Sequence, residues 1–107
     1  MRIAAIRALR LAKGSAKEKR LLPITHEEDL EIRAEAAEAL AGGNMPETIQ
    51  RFVELLDDSD VTVRIRAIQG LGSGHSLVRP DAIYERLRKE TDPDVIRVAK
   101  SALEKAR

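Results

Sequence analysis

The chain of 107 residues contains no cysteine and no tryptophan, and Phe52 and Tyr84 are its only Phe and Tyr. Without cysteine it forms no disulfide framework and no cysteine-based zinc site or nucleophile. Its apolar runs are a few residues long, which predicts no membrane-spanning helix, and residues 1–13 lack the features of a signal peptide. We therefore expect one cytoplasmic domain whose core is built from Ala, Leu, Ile and Val.

Charge is nearly balanced overall, at +1, but it is unevenly distributed along the chain. Residues 1–20 carry seven Lys or Arg and one acid, whereas residues 27–60 carry eleven acids and two Arg. Residues 61–107 are mildly basic, with ten bases and six acids. In a linear fold, the surface would therefore run from basic through acidic to mildly basic along the stack.

One nine-residue pattern occurs four times. The copies occupy residues 1–9, 32–40, 63–71 and 95–103 and read MRIAAIRAL, IRAEAAEAL, VRIRAIQGL and VIRVAKSAL. Their final leucines lie 31, 31 and 32 residues apart. A fixed period of this length is typical of proteins built from stacked helical hairpins.

More variable helical segments alternate with these copies. We call the repeated helices B helices and the helices between them A helices, and we predict A helices at 16–24, 46–56 and 80–90. Gly, Asn, Asp and Pro residues separate the two kinds. The predicted order is a lone B helix at residues 1–14 and then helical hairpins at 15–43, 44–74 and 78–107.

On a helical wheel, at about 100° per residue, each B helix has an apolar side and a variable side. The apolar side carries the final leucine and the residues one, four and eight positions before it. In the last A helix, Ile83, Tyr84 and Leu87 are expected to face the core.

An arginine interrupts the apolar side seven positions before the leucine. Arg2, Arg33 and Arg64 occupy this position in the first three copies, and Ile96 replaces it in the fourth. Because a largely buried arginine needs a partner, we expect a structural Asp–Arg ladder. The expected partners lie in the turn before each helix: Asp29 and Glu31 for Arg33, and Asp58 and Asp60 for Arg64.

An Asp-x-Asp turn followed by V-R-x-x-A-x-x-A-L resembles HEAT-like repeats, in particular the compact form first noted in phycobilin lyases. The matching residues of two copies are Asp58, Asp60, Val63, Arg64, Ala67 and Leu71, and Asp92, Pro93, Asp94, Val95, Ala99 and Leu103. The resemblance covers essentially the whole chain. It implies an all-α, right-handed α-solenoid of about three and a half repeats and seven helices, with the B helices on the concave face.

The variable side of the B helices is the candidate partner-binding face. Its residues are Arg7, Arg10, Glu35, Glu38, Ile65, Arg66, Gln69, Arg97 and Ser101. Concave repeat surfaces often bind other proteins, so the leading hypothesis is a non-enzymatic scaffold; an ordinary solvated face is the alternative. The resemblance also allows an accessory role in a lyase or other enzyme complex.

The predicted N-terminal helix, from Met1 to Lys13, has an inner apolar face and no A helix to cover it. Terminal repeats normally carry a polar cap. We therefore expect either that the chain is a fragment of a longer repeat array, or that this end self-associates, giving a homo-oligomer, or binds a partner.

Nucleic-acid binding is a weaker alternative. The basic residues of the N-terminal stretch are Arg2, Arg7, Arg10, Lys13, Lys17, Lys19 and Arg20. Phosphate binding needs a contiguous basic stripe, whereas Glu35 and Glu38 interrupt this one, and the chain offers almost no aromatic side chains for base stacking.

No motif predicts a catalytic, metal or cofactor site. The acids beside His26 do not have the spacing of a metal motif. The run from Gly70 to Gly74 follows a helix rather than a strand, so it reads as a helix stop and not as a phosphate loop. We expect no catalytic residue, no metal and no cofactor.

Overall fold

The computed structural model describes residues 3–10, 15–73 and 77–105. Within these ranges the chain forms seven α-helices, one 3₁₀ helix and no strand. The helices are α1 (Ile3–Leu9), α2 (Ser15–Leu21), the 3₁₀ helix (Leu22–His26), α3 (Leu30–Ala39), α4 (Pro46–Leu55), α5 (Val61–Gly72), α6 (Pro80–Lys89) and α7 (Pro93–Lys105). The predicted all-α fold class is confirmed. Met1, Arg2, Lys13 and Gly74, which carry parts of the predictions above, lie outside the described residues.

Aspartates begin the B helices. The Asp29 side chain accepts hydrogen bonds from the backbone N–H groups of Glu31 and Ile32 at the start of α3. Asp60 does the same for Val63 in α5. These bonds satisfy backbone donors that the first turn of a helix leaves unpaired.

The last helix begins earlier than the repeat pattern alone indicates. The Asp92 carboxylate accepts from the backbone N–H groups of Asp94 and Val95, at 2.9 and 3.2 Å. Pro93 is the first helical residue, a position that suits proline because its missing N–H would have no partner there. Helix α7 therefore starts two residues before the repeated pattern.

The first A helix is divided. The prediction of one helix over residues 16–24 is wrong, because the α-helix ends at Leu21 and a 3₁₀ helix continues to His26. Pro23 lies inside this segment and has no N–H to donate. The Thr25 hydroxyl donates to the Leu22 carbonyl oxygen at 2.6 Å and closes the tighter turn.

The B helices, α1, α3, α5 and α7, form a row in which each helix packs on the next. The 3₁₀ helix packs on α3, α4 on α5, and α6 on α7, so each A segment packs on the B helix that follows it. The small residues predicted on the apolar side are fully buried, among them Ala36, Ala67 and Ala99. Because their side chains are short, neighbouring helices approach closely.

The A helices of neighbouring repeats do not pack on one another to the same extent as the B helices. A cleft of about 440 Å³ separates α4 from α6, with Val53, Leu56 and Ala82 among its lining residues.

Two side-chain orientations differ from the predictions. Tyr84, expected in the core, is 54% exposed on α6, while Ile83 beside it is fully buried. Ala34, on the variable side of α3 by the wheel, is buried. Helix α3 is flanked by both α1 and α5, so more of its circumference is covered than a single apolar side predicts.

Candidate functional site

Ion pairs connect the outward residues of the first three B helices. Arg7 Nη2 lies 3.1 Å from Glu35 Oε1, and Arg10 Nη2 lies 3.3 Å from Glu38 Oε1. Glu38 Oε2 is also 3.7 Å from Arg66 Nη2. The pKa of Arg7 is raised, and the largest cause is the hydrogen bond that Arg7 donates to Glu35. The basic residues of α1 and α5 thus pair with the acidic residues of α3, which lies between these two helices.

The first of two grooves on this side lies between α3 and α5 and has a volume of about 300 Å³. Its lining is acidic, with four carboxylates and a single arginine. The lining residues are Leu30, Glu31, Ala34, Glu35, Glu38, Asp60, Thr62 and Arg66. Leu30 is 46% exposed, which is unusual for a large apolar side chain in this protein.

The second groove lies between α5 and α7 and has a volume of about 270 Å³. Its charged lining residues are both cations, Arg97 and Lys105. The other lining residues are uncharged: Ile68, Gln69, Gly72, Val98, Ser101 and Ala102. The two grooves flank α5 and carry opposite charge.

The structure divides the predicted partner-binding residues between these two grooves and the ion pairs beside them. Glu35, Glu38 and Arg66 line the first groove, and Gln69, Arg97 and Ser101 line the second. Arg7 and Arg10 reach the first group through their ion pairs. Ile65 differs from the rest, because it lines neither groove and packs against the core.

The predicted partners of Arg33 are wrong. Its Nη2 donates to Asp58 Oδ1 at 2.9 Å, in the turn of the following repeat, and not to an acid of its own turn. Its Nη1 donates to the backbone carbonyls of Glu27 and Glu28, at 2.9 and 3.1 Å. Asp29 faces the start of α3 instead, where it caps backbone N–H groups.

Arg64 repeats this arrangement one repeat later. Its Nη1 donates to the backbone carbonyl of Asp58 at 2.9 Å, so the expected pairing with the Asp58 or Asp60 carboxylate is wrong. Its Nε and Nη2 donate to the two oxygens of Glu90, at 2.8 and 3.0 Å. Each of these two arginines therefore holds the carbonyls of its own turn and the carboxylate of the next. The pairing joins successive repeats rather than the two ends of one turn.

Glu90 has a lowered pKa. Burial is the largest single influence and by itself raises the pKa of Glu90. Hydrogen bonds from Arg64 and the Asp92 backbone, with the positive charges of Arg64 and Arg86, outweigh burial. The net pKa of Glu90 lies below its ordinary value.

Sequence reasoning missed a second set of contacts on the A side. The buried Glu18 carboxylate of α2 accepts from the Thr48 hydroxyl at 2.7 Å and from the Met45 backbone N–H at 3.1 Å, at the start of α4. Arg51 of α4 donates to the Thr25 hydroxyl and carbonyl, at 2.9 and 2.8 Å. The partners lie 26 to 30 residues apart, so no local pattern could reveal them.

In the described part of the chain, no group of three or more His, Asp or Glu side chains is arranged to hold a metal ion. The acids that follow His26 are exposed, and Asp29 among them has the structural capping role already described. None of the helices of the described ranges is both long and apolar enough to cross a bilayer.

Comparison with known proteins identifies one family. A family model described as HEAT repeats matches residues 1–71 and, in a second alignment, residues 18–104. No curated protein and no solved structure gives a significant match to the chain.

Proposed function

The chain belongs to the HEAT-repeat family, whose members are generally scaffolds for protein interactions, and we propose that it binds a protein partner through the outward side of its B helices. The two grooves that flank α5 carry this proposal. They are open and lie between successive B helices, where an elongated partner can touch several repeats at once. Their outward polar residues are not required by the core, which leaves them available for recognition.

A comparison of two matched substitutions tests the binding face. Gln69 lies on α5 beside the second groove and Gln50 lies on α4, and both are exposed. Proteins captured from the native source by the wild-type chain are identified by mass spectrometry, and their retention is measured for Gln69→Arg and Gln50→Arg. We expect Gln69→Arg to lose the specific partner and Gln50→Arg to keep it. Equal retention by both variants would exclude the B-helix face.

A protein partner is better supported than nucleic acid. Arg7 and Arg10 are paired with Glu35 and Glu38 on the B side. Lys19 lines a separate cleft beside α2 and α4. These three described basic residues are therefore divided between two sides and do not form the continuous stripe that phosphate binding requires. A salt titration with random-sequence duplex should accordingly show no binding at low salt.

The free side of α1 supports self-association as a second binding mode. Ala5 and Ala8 are exposed, although Ala36 and Ala39 at the same positions of α3 are buried. Ile6 is fully buried and holds α1 to the rest of the core, so a change there would disturb folding. We expect light scattering to show association of the wild-type chain that Ala8→Glu abolishes. Ala16→Glu, on an exposed position of α2, serves as the matched control.

A further inference from the structure

We propose that the partner presents a bipolar segment to the B-helix face, with a basic group in the groove between α3 and α5 and an acidic group in the groove between α5 and α7. This inference rests on the proposed function and specifies the chemistry of the partner. It is carried by the opposite charge of two neighbouring grooves on one surface.

The groove between α3 and α5 fits a lysine or arginine side chain. Glu31 makes no ion pair with any described residue. Of the other carboxylates in this lining, Glu35 and Glu38 are paired with arginines of the B helices and Asp60 caps α5, so Glu31 is the carboxylate available to a partner. Leu30, partly exposed in that lining, offers an apolar surface for the methylene stem of a long basic side chain. Carboxylates together with an apolar contact favour a basic side chain over a small cation.

The groove between α5 and α7 fits an acidic side chain. Its two cations have no carboxylate beside them in the lining. Arg97 is 3.7 Å from Asp94 in a pair that is largely exposed on both sides, which makes the pair easy to exchange for a partner carboxylate. Lys105 makes no ion pair within the described residues. The small residues Gly72 and Ala102 leave space for a side chain to enter.

The distance between the grooves sets the spacing in the partner. Packed helices lie roughly 8–10 Å apart, so grooves on the two sides of α5 are separated by about one such distance. An extended chain rises about 3.3 Å per residue. The basic and acidic groups of the partner should therefore be about three residues apart along an extended segment that crosses α5.

Synthetic peptides test this arrangement. The bipolar probe carries two lysines and a leucine, a neutral spacer of about three residues, and two glutamates. The comparison peptides are its basic half, its acidic half, and an isomer in which lysines and glutamates alternate. By fluorescence anisotropy we expect the bipolar peptide to bind at least about tenfold more tightly than either half, since joining two weak contacts raises their joint affinity.

Charge-reversed variants assign each half of the peptide to its groove. Glu31→Lys should weaken binding of the basic half-peptide about fivefold and leave binding of the acidic half-peptide unchanged. The double variant Arg97→Glu with Lys105→Glu should weaken binding of the acidic half-peptide and leave binding of the basic one unchanged. Glu47→Lys and Lys19→Glu, on the A side, should change neither. All variants are checked for the circular dichroism of the wild type.

The outcomes separate this inference from the proposed function. If the alternating isomer binds as tightly as the bipolar peptide, or if no peptide binds, the bipolar segment is excluded. If Glu31→Lys weakens binding of the acidic half, or if Arg97→Glu with Lys105→Glu weakens binding of the basic half, the assignment of the grooves is excluded. In each case the Gln69→Arg comparison still tests the B-helix face by itself.

Discussion

Glu90 connects three helices through one carboxylate. Arg64 from α5 donates to both of its oxygens, and Arg86 from α6 has its Nε 3.3 Å from Oε1. The backbone N–H groups of Thr91 and Asp92, just before α7, donate to Oε2. With its side chain only 2% exposed, Glu90 is charged and buried, and that is tolerated because its two oxygens accept four hydrogen bonds.

We predict that Glu90→Gln lowers the free energy of unfolding at neutral pH by roughly 2–4 kcal/mol, because it leaves Arg64 largely buried without its charged partner. A carboxyl with a lowered pKa in the folded state contributes stability above its ordinary pKa and loses it as pH falls through the folded value. The wild type should therefore lose stability on acidification more steeply than Glu90→Gln. Urea unfolding across the acid range measures both effects.

Glu85→Gln is the control for this experiment. Glu85 is about half exposed and pairs with Arg88 and Lys89 on the surface of α6. Loss of these pairs should cost under about 1 kcal/mol and change the pH dependence little. If the free energy of unfolding falls equally with pH in the wild type and in Glu90→Gln, the Glu90 carboxylate does not contribute the predicted stability.

At the scale of helices, the contact between α4 and α5 depends on one glycine. Phe52 is the largest fully buried side chain and lies directly against Gly70. A Cβ added at Gly70 would come within 2.4 Å of the Phe52 ring. The other copies have alanine at this position. Glycine at position 70 therefore makes room for the ring of Phe52.

We predict that Gly70→Ala destabilises the protein by about 1–3 kcal/mol, although the same change in a helix with free space usually stabilises it. Phe52→Leu should remove most of this penalty, so the double variant should be more stable than the sum of the single changes indicates. Gly72→Ala is the control, because its Cβ would meet ordinary contacts, at 3.4 and 4.0 Å. Additive effects of the two changes in thermal unfolding would contradict the direct contact.

At the scale of the whole molecule, the arginine ladder joins consecutive repeats. Arg33 connects α3 to the turn before α5, and Arg64 connects α5 to the turn before α7. Both pairs are largely shielded from solvent, with side-chain exposures of 2–14%. In a stack where each repeat touches only its neighbours, such contacts determine how far unfolding at one end spreads along the molecule.

We predict opposite patterns of local unfolding for two matched variants. Arg33→Gln should selectively increase hydrogen exchange in α1 and α3, because it weakens their connection to the rest of the stack. Arg64→Gln should increase it in α6 and α7. Hydrogen exchange followed by mass spectrometry compares the two. The same change in protection throughout the molecule in both variants would indicate one cooperative unit and exclude nearest-neighbour coupling.

Much of the fold could be predicted from local pattern. The four copies, with their spacing of 31 and 32 residues, predicted the B helices, and the prolines and aspartates between them predicted most of the helix ends. The buried alanines followed from helical periodicity, since helix geometry alone decides which residues share a side. The early start of α7 at Pro93 and the break after Leu21 show where such patterns leave an end uncertain.

The repeat period, the helical class and the HEAT family are properties of the amino-acid order, because regular helices and their spacing depend on short-range chemistry. The partner of Arg33, the contact of Phe52 with Gly70 and the burial of Glu18 and Glu90 depend on residues about 20 to 30 positions away. Periodicity shows that such side chains face inward but not which neighbour they meet. Only the packing of consecutive repeats decides that, and it also places grooves of opposite charge on the two sides of α5.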